Sequence, residues 1–292
     1  MSEIRFDGRV AIVTGAGGGL GRAHALALAA RGARVVVNDV GKADAVVAEI
    51  EAAGGTAMAS AASVSDAAAV AAMVAQVMER WGRIDILINN AGILRDKSFS
   101  KTPMDFFEAV IDVHLRGSWV CTQAVWEIMR AQGYGRVLMT TSSSGLYGNF
   151  GQANYAAAKG ALVGLTNTLA IEGQKNGIRV NALSPAAATQ MTEALLPPGT
   201  ADLLGPETVA PAALFLVSEQ APTKTVLAAG AGVFALAQMT ETPGIDLGPT
   251  PTVDDVAAAW GQISGQDGAE PLEAAWAQTS KFVALAQKRP GA

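Results

Sequence analysis

The fold of this chain is decided by the run Val10-Ala11-Ile12-Val13-Thr14-Gly15-Ala16-Gly17-Gly18-Gly19-Leu20-Gly21. Its first four residues are apolar and mostly β-branched, which is typical of a buried strand. The glycines that follow allow a tight turn, and the Ala- and Leu-rich stretch beyond Leu20 has the composition of a helix. The run therefore predicts a strand, a glycine loop and a helix in direct succession.

The same alternation continues along most of the chain. Strands are predicted at residues 10–13, 34–37, 56–60, 84–88, 136–141 and 178–183, with a seventh near 225–228. Helices are predicted near residues 20–30, 43–53, 66–81, 103–132 and 154–176. Strands that alternate with helices form a parallel sheet covered on both faces. We therefore expect an α/β fold with a doubly wound parallel sheet, of the Rossmann type.

The chain is expected to form a single domain with a C-terminal extension. No Pro/Gly/Ser-rich linker or charge block divides its 292 residues. The regular alternation stops near Gly230, so residues 1–232 are assigned to the core and residues 233–292 to the extension. The extension holds an apolar strand-like run at 233–239 and helical patterns at 253–263 and 271–287. We expect it to pack on the core or on a neighbouring subunit.

Composition narrows the class of partner. The formal net charge is −5 and 16% of the residues are charged, with no stripe of Lys and Arg. Nucleic acids and anionic lipid surfaces are bound through such stripes, so a small-molecule partner is favoured.

The apolar stretch at 226–239 is interrupted by glycines and is shorter than the ~20 residues that a membrane span requires. The one cysteine, Cys121, lies in an apolar run and is predicted to be a buried thiol.

The ends of the sequence bear on localisation. The first residues contain no apolar signal region, and the last residues do not form a peroxisomal tripeptide. The cytoplasm is therefore the expected compartment. His24 has no Cys, Asp or Glu at ligand spacing, so no catalytic metal is predicted.

The glycine loop predicts a dinucleotide site. Glycines let the backbone approach a pyrophosphate closely, and the helix that follows offers unpaired N–H groups. The candidate residues of this loop are Gly15, Gly19, Leu20 and Gly21. Asp39 follows the second strand, where a carboxylate can bind ribose hydroxyls and repel a 2′-phosphate, so NAD is the predicted cofactor. Lys42 keeps open the alternative of an NADPH-dependent ketoreductase.

A second group of residues, Ser142, Tyr155 and Lys159, predicts proton transfer. Tyr155 and Lys159 are four residues apart on one face of a predicted helix, so the ammonium can stand near the phenol and favour tyrosinate. Ser142 ends a strand, and its hydroxyl could hold a carbonyl oxygen beside the tyrosine. A Tyr-x-x-x-Lys pair is common on surfaces and is weak evidence alone, but it gains weight beside the glycine loop.

These motifs resemble the short-chain dehydrogenase/reductase family. The likeness is carried by Thr14–Gly21, Asn89–Gly92, Ser142 and the Tyr155/Lys159 pair, and it spans roughly residues 5–233. Longer strings narrow the resemblance to the subgroup that forms the (3R)-hydroxyacyl-CoA dehydrogenase part of peroxisomal multifunctional enzyme type 2. These strings are Arg5–Val10, Asn89–Asp96, His114–Ser118, Gly148–Tyr155 and Val256–Trp260.

The resemblance implies roles for individual residues. Ser142, Tyr155 and Lys159 would be catalytic; Lys159 would also hold the nicotinamide ribose, and Tyr155 would lie beside the cofactor. His114 stands where most of the wider family has an Asn of a proton relay, and it is a secondary catalytic candidate. The remaining implied cofactor-binding residues are Ser63, Val64, Asn90, Ala91, Gly92, Pro185 and Thr189.

The predicted function is reversible oxidation of a secondary alcohol, with a 3-hydroxyacyl-CoA or a hydroxysteroid as the substrate that the resemblance implies. A catalytically silent NAD-binding scaffold is the rival from another class, and the intact Tyr155, Lys159 and Ser142 argue against it. Related enzymes pair through two long helices, here near residues 117–132 and 154–176, so a homodimer or homotetramer is expected.

Overall fold

The computed structural model of the protein describes residues 3–188 and 199–289. The chain forms two compact units, Met1–Leu236 and Ala237–Ala292. Within the described residues the first unit is built on an eight-stranded sheet with the order β3-β2-β1-β4-β5-β6-β7-β8. The doubly wound α/β fold expected from the sequence is confirmed.

Strands and helices alternate through the first unit. The strands are β1 Val10–Thr14, β2 Arg34–Asn38, β3 Thr56–Ser60, β4 Ile86–Asn89, β5 Gly135–Thr140, β6 Ile178–Pro185, β7 Val226–Gly230 and β8 Val233–Ala237. The helices are α1 Gly19–Ala30, α2 Ala43–Ala52, α3 Ala67–Trp81, α4 Met104–Ile111, α5 Gly117–Gln132, α6 Ser143–Tyr147, α7 Ala153–Gly173 and α8 Ala210–Leu216.

The centre of the sheet lies at β1. This strand pairs in parallel with β2 on one side, where Val13 aligns with Val37, and with β4 on the other, where Val13 aligns with Ile88. All five residues of β1 are buried, as expected for a parallel strand covered by helices on both faces. Because the strand order reverses between β1 and β4, a crevice opens at the carboxyl ends of these two strands, which is where such folds bind ligands.

The strand β4 begins at Ile86, two residues later than the sequence pattern predicts, and the residue before it, Asp85, carries a buried carboxylate. Its carboxylate is fully buried and accepts hydrogen bonds from the Val10 main-chain N–H at 2.9 Å and from Arg9 at 3.0 Å. Arg83 adds a further ion pair. A buried carboxylate needs such partners, and here they tie the amino ends of β1 and β4 together.

The last two strands form a hairpin at the edge of the sheet. Ala231 and Gly232 both have positive φ, at 52° and 73°, which matches a two-residue turn of type I′. A loop this short can only join antiparallel strands, so β8 departs from the parallel arrangement. Val233, Phe234 and Leu236 of β8 are exposed.

The second unit contains α9 Val253–Ile263 and α10 Ala275–Ala286. Thr252 and Asp255 form a capping box at the start of α9, which satisfies the first main-chain donors of that helix. An ion pair between Lys281 and Glu241 and another between Arg289 and Asp246 tie the unit together internally.

The structure also bears on the cysteine, on membrane spans and on metal-binding groups. Cys121 is buried, and burial raises the pKa of its thiol to about 12. Within the described residues, no helix is long and apolar enough to cross a membrane. No group of three or more His, Cys, Asp and Glu side chains in the described part of the chain could hold a metal ion.

Candidate active site

The candidate site lies along the carboxyl edge of the sheet. The glycine loop follows β1, Asp39 follows β2, Ser63 follows β3, and Asn90 follows β4. Ser142 follows β5 and Pro185 ends β6. The parallel sheet thus brings residues from six separate parts of the sequence to one edge.

The glycine loop is shaped for close main-chain approach. Gly15 has φ of 62°, and a Cβ there would lie 2.7 Å from the Ala91 Cα. A Cβ at Gly21 would overlap the Gly15 carbonyl oxygen, so α1 packs directly against the loop. These two positions require glycine for steric reasons.

The same loop leaves room for an anionic ligand. At Gly18 a Cβ would meet nothing within 4 Å, and Gly18 provides no side-chain cap for α1. The first N–H groups of a helix have no partner within the helix, and their dipole favours a negative charge. Gly19 and Leu20 are the first residues of α1. A pyrophosphate group therefore fits this cradle.

Asp39 is fixed beside the glycine loop. One carboxylate oxygen accepts a hydrogen bond from the Gly17 N–H at 3.1 Å. The other accepts from the N–H groups of Gly41 and Lys42 at 2.9 and 3.0 Å. A Cβ at Gly17 would lie 2.5 Å from the Asp39 carboxyl carbon, so the contact itself requires glycine. Gly17 is not among the residues selected from the sequence, although it lies within the fingerprint.

Asn90 joins two strands at this edge. Its side-chain amide donates to the Thr14 and Gly15 carbonyl oxygens at 2.9 and 3.1 Å. The Thr14 hydroxyl in turn accepts from the main-chain N–H groups of Asn90 and Ala91 at 2.9 and 3.0 Å. The resemblance implies that Asn90 and Ala91 bind the cofactor, and these contacts also hold the crevice in shape. Thr14, whose hydroxyl completes these contacts between β1 and β4, is not predicted from the sequence to be a site residue.

Ser142 and Tyr155 meet at the end of β5. Ser142 is extended, at φ −163° and ψ 155°, and its side chain caps α6 by accepting from the Ser144 N–H at 3.2 Å. The Ser142 side chain also lowers the pKa of the Tyr155 phenol. Burial has the larger, opposite effect, so the pKa of Tyr155 is raised overall.

Lys159 lies one helical turn beyond Tyr155 and is almost fully buried. Its Nζ atom lies 5.6 Å from the centre of the Tyr155 ring and donates to the Thr140 carbonyl oxygen at 2.5 Å. Burial lowers the pKa of Lys159 to about 7. A Cβ at Gly145 would lie 2.7 Å from the Lys159 Cβ, so glycine lets α6 lie directly against α7.

His114 stands against the Tyr155 ring. The two rings meet edge to face, with centroids 5.2 Å apart. His114 lies in a π-helical turn, Asp112–Arg116, between α4 and α5, a feature that often marks functional sites. Its Nε2 atom lies 2.8 Å from the Ile93 carbonyl oxygen, and its Nδ1 atom is buried without a partner. Burial and the charge of Lys159 lower the pKa of His114 to about 3, so the imidazole is neutral.

The other predicted cofactor residues have varied surroundings. Val64 is buried against α5, where a Cβ at Gly117 would lie 2.7 Å from its Cγ2 atom. Ser63 and Pro185 are partly exposed at the same edge. Gly92 is packed against His114, and a Cβ there would overlap the imidazole Cε1. Thr189 lies outside the described residues.

The fold and the site together define the class: this is a Rossmann-type oxidoreductase. A family model described as short chain dehydrogenase matches residues 9–198. The chain belongs to the short-chain dehydrogenase family, which confirms the resemblance seen in the sequence.

Individual relatives agree with this assignment. Peroxisomal multifunctional enzyme type 2 of Mus musculus is 53% identical over 229 residues, which are 75% of this chain and 31% of that protein. The solved structure of full-length peroxisomal multifunctional enzyme type 2 from Drosophila melanogaster has a TM-score of 0.84 and 41% identity, covering 98% of this chain and 50% of that one. This chain therefore spans one half or less of these relatives. Both are named as peroxisomal, and the cytoplasmic compartment expected for this chain stays a prediction.

A smaller solved relative carries ligands. It is a 7α-hydroxysteroid dehydrogenase complexed with NADH and 7-oxo glycochenodeoxycholic acid. The TM-score is 0.73 at 32% identity, over 78% of this chain and 95% of that one. A protein of this fold thus holds a reduced nicotinamide cofactor together with a ketone.

Proposed function

We propose that the protein is an NAD-dependent dehydrogenase that interconverts a secondary alcohol and a ketone, with Tyr155 as the proton-transfer residue. The observation that carries this proposal is the arrangement around the phenol. The Ser142 side chain acts on the phenol in the direction that favours tyrosinate, the His114 ring packs edge to face against it, and the Lys159 Nζ atom lies 5.6 Å from the centre of its ring. Proton transfer by a positioned side chain accelerates reactions by about 10²- to 10⁴-fold.

The choice of NAD rests on Asp39. Its carboxylate is held by three main-chain N–H donors beside the glycine loop. At the end of β2 such a carboxylate can accept hydrogen bonds from both ribose hydroxyls, and its charge would repel a 2′-phosphate. Lys42 donates its main-chain N–H to the same carboxylate.

The side chains of the site account for the transfer of the substrate's hydroxyl proton. NAD⁺, when bound, would supply the acceptor for the hydride of the carbinol carbon. The hydroxyl proton of the same carbon passes to the Tyr155 phenolate oxygen, and Ser142 is placed to donate a hydrogen bond to the substrate oxygen. In the reverse direction the neutral phenol returns the proton to the carbonyl oxygen. Because the pKa of Tyr155 is raised, we expect reduction near neutral pH and oxidation to increase as the solution becomes more alkaline.

Two substrate classes have specific support. A 3-hydroxyacyl-CoA is the class implied by the strings that resemble the (3R)-hydroxyacyl-CoA dehydrogenases, and the mouse relative carries the name of a multifunctional enzyme. A hydroxysteroid is favoured by the relative that holds a bile-acid ketone. We place the acyl-CoA first, because identity is 53% to the former relative and 32% to the latter.

The test follows NADH absorbance with 3-hydroxyacyl-CoA, hydroxysteroid and simple cyclic alcohol substrates, comparing the unchanged protein with Tyr155→Phe. We expect the variant to lose activity by at least about a hundredfold while NADH binding, measured by fluorescence, is kept. Tyr147→Phe is the matched control, because Tyr147 carries an exposed phenol and should behave like the unchanged protein.

Two results would overturn the proposal. Full activity of Tyr155→Phe would remove the phenol from the chemistry. Cofactor binding with no turnover on any substrate would favour the scaffold interpretation instead.

A further inference from the structure

The loop after β4 carries three exposed cations. Arg95, Lys97 and Lys101 are three of the 21 Lys and Arg residues of an acidic chain, and all lie between residues 95 and 101. Among the residues that the structure describes, none of the three forms an ion pair. Asp96 is turned away from solvent, because its Oδ2 atom accepts from the Gln152 amide at 2.7 Å and its Oδ1 atom is buried. The loop therefore presents unpaired positive charge to solvent.

Contacts fix this loop beside the helix that carries Tyr155. The Asn154 side-chain amide donates to the Arg95 carbonyl oxygen at 3.0 Å. The Lys97 N–H donates to the Gly151 carbonyl oxygen at 3.0 Å. Asn154 immediately precedes Tyr155, and four residues of chain extend over at most about 14 Å, so Gly151 lies no farther than that from Tyr155. A long substrate that reaches the phenol can therefore extend to the cations.

Two exposed aromatic rings accompany the cations. Phe99 lies between Lys97 and Lys101 in the chain and is 84% exposed, and Phe150 precedes Gly151 and is 91% exposed. Because Lys97 is hydrogen bonded to Gly151, the loops that carry the two rings touch at this point. Rings that stay in water add little to the stability of the fold, whereas aromatic faces beside cations suit a ligand with a flat base and phosphates. The name rim patch is used below for Arg95, Lys97, Phe99, Lys101 and Phe150.

The rim patch is separate from the place proposed for the cofactor. The cradle for a pyrophosphate lies between β1 and α1, and Asp39 follows β2. The rim patch is formed by the loop after β4 and the loop before α7. Its positive charge is therefore available to the second ligand of the site, which is the substrate.

We propose that the rim patch binds the phosphorylated adenosine end of a CoA thioester, with its cations at the phosphates and its aromatic rings against the adenine. The hydroxyacyl end would then reach Tyr155. This inference rests on the proposed function and adds the residues that select CoA thioesters among secondary alcohols. Lys and Arg suit phosphates, and a hydroxysteroid brings no phosphate to the rim patch, so the patch favours the acyl-CoA as the substrate class.

The experiment compares two thioesters of the same 3-hydroxyacyl group. The first is the CoA thioester, and the second is the N-acetylcysteamine thioester, which keeps the reacting carbon but lacks the phosphates and the adenine. In Lys97→Glu/Lys101→Glu the KM for the CoA thioester should rise by about fivefold or more, because attraction to the phosphates becomes repulsion. The kcat for both thioesters, and the KM for the short one, should stay within about twofold. High salt should reduce the difference in KM.

A matched control separates the patch from the net charge of the protein. Arg34→Glu/Arg80→Glu reverses two other exposed cations. Arg34 begins β2, and Arg80 lies near the end of α3, the helix that leads into β4, so both lie at the amino edge of the sheet, opposite to the rim patch. This control should keep the KM for both thioesters. Phe150→Ala keeps every charge and should raise the KM for the CoA thioester alone, by about threefold or more.

Three results would overturn the inference. The first is an unchanged KM for the CoA thioester in Lys97→Glu/Lys101→Glu, and the second is an equal rise for the short thioester or in the control. The third is a rise confined to the same acyl group carried on an acyl-carrier protein, which would point to a protein partner instead.

Binding of free CoA, measured by calorimetry in the presence of NADH, separates this inference from the proposed function. Weaker CoA binding in Lys97→Glu/Lys101→Glu, in a protein that turns over no 3-hydroxyacyl thioester, would support the rim patch and refute the proposed function. Turnover that requires Tyr155, with the same CoA affinity in both proteins, would do the opposite.

Discussion

His24 is one cause of a loss of stability that we expect at acidic pH, and His24→Leu should remove the part of that loss that is due to His24. The imidazole lies in α1, is fully buried, and has no hydrogen-bond partner at either ring nitrogen. Burial without a partner disfavours the charged form, which lowers the pKa of His24 from 6.5 to about 4. Leucine has a similar size and carries no polar atom, so the variant should pack in the same space.

The sign of the change in the free energy of unfolding with pH follows from proton linkage. Between pH 6.5 and about 4 the unfolded chain binds a proton at His24 that the folded chain does not bind. The free energy of unfolding therefore falls as the pH drops through 6.5, and the loss continues until the folded pKa is reached. At pH 5 this loss amounts to about 2 kcal/mol for His24. His114, with a pKa of about 3, adds a loss of about the same size.

Urea unfolding at pH 7 and pH 5 measures the effect. The unchanged protein should lose about 4 kcal/mol from the two histidines together, and His24→Leu should lose only about half of that. Carboxylates contribute equally to both proteins and cancel in the comparison. An equal loss of stability in both proteins between these pH values would show that His24 is charged or solvated in the folded state, and the reasoning would be refuted.

Two further predictions concern the site. Asp39→Asn keeps the shape of the side chain but removes the charge that would repel a 2′-phosphate, so the preference for NAD over NADP in kcat/KM should fall by about tenfold or more; an unchanged ratio would remove Asp39 from cofactor selection. Gly92→Ala would drive a Cβ into the His114 ring, which packs on Tyr155, so kcat should fall by about tenfold while the far-ultraviolet circular dichroism is kept. Gly164→Ala in α7 meets no atom within 4 Å and should leave kcat unchanged, and a matching loss there would contradict this explanation.

Local patterns are sufficient to predict most of the secondary structure. The strand at 56–60 and the helix at 253–263 have in the structure the bounds that the sequence predicts, because alternation and helical spacing are properties of short segments. The helices predicted across 103–132 are joined in the structure by the π-helical turn that holds His114. A π-helical turn inserts one residue into a helix without changing its composition, so periodicity does not reveal it.

The candidate site is predictable only where a motif lies within one segment. The Tyr155/Lys159 pair and the glycine loop are such motifs, and both lie at the expected edge of the sheet. The sequence assigns no role of its own to Thr14, although Thr14 lies within the quoted run, because its contacts join residues that are far apart in the chain. The sequence also does not predict the effect of burial on Tyr155. A cation one helical turn away predicts a lowered pKa for the phenol, whereas burial in the folded protein raises it.

Most of the polar residues at this edge serve to hold main-chain groups rather than to react. The carboxyl ends of parallel strands leave carbonyl and N–H groups that must find partners where the ladder stops. The Asn90 side chain donates to a carbonyl oxygen at the end of β1, and the Lys159 ammonium donates to a carbonyl oxygen at the end of β5. A residue already engaged in this way is poorly placed to exchange protons with a substrate. Tyr155 has no such main-chain engagement among the described contacts of its hydroxyl, which is why the chemistry is best assigned to its phenol.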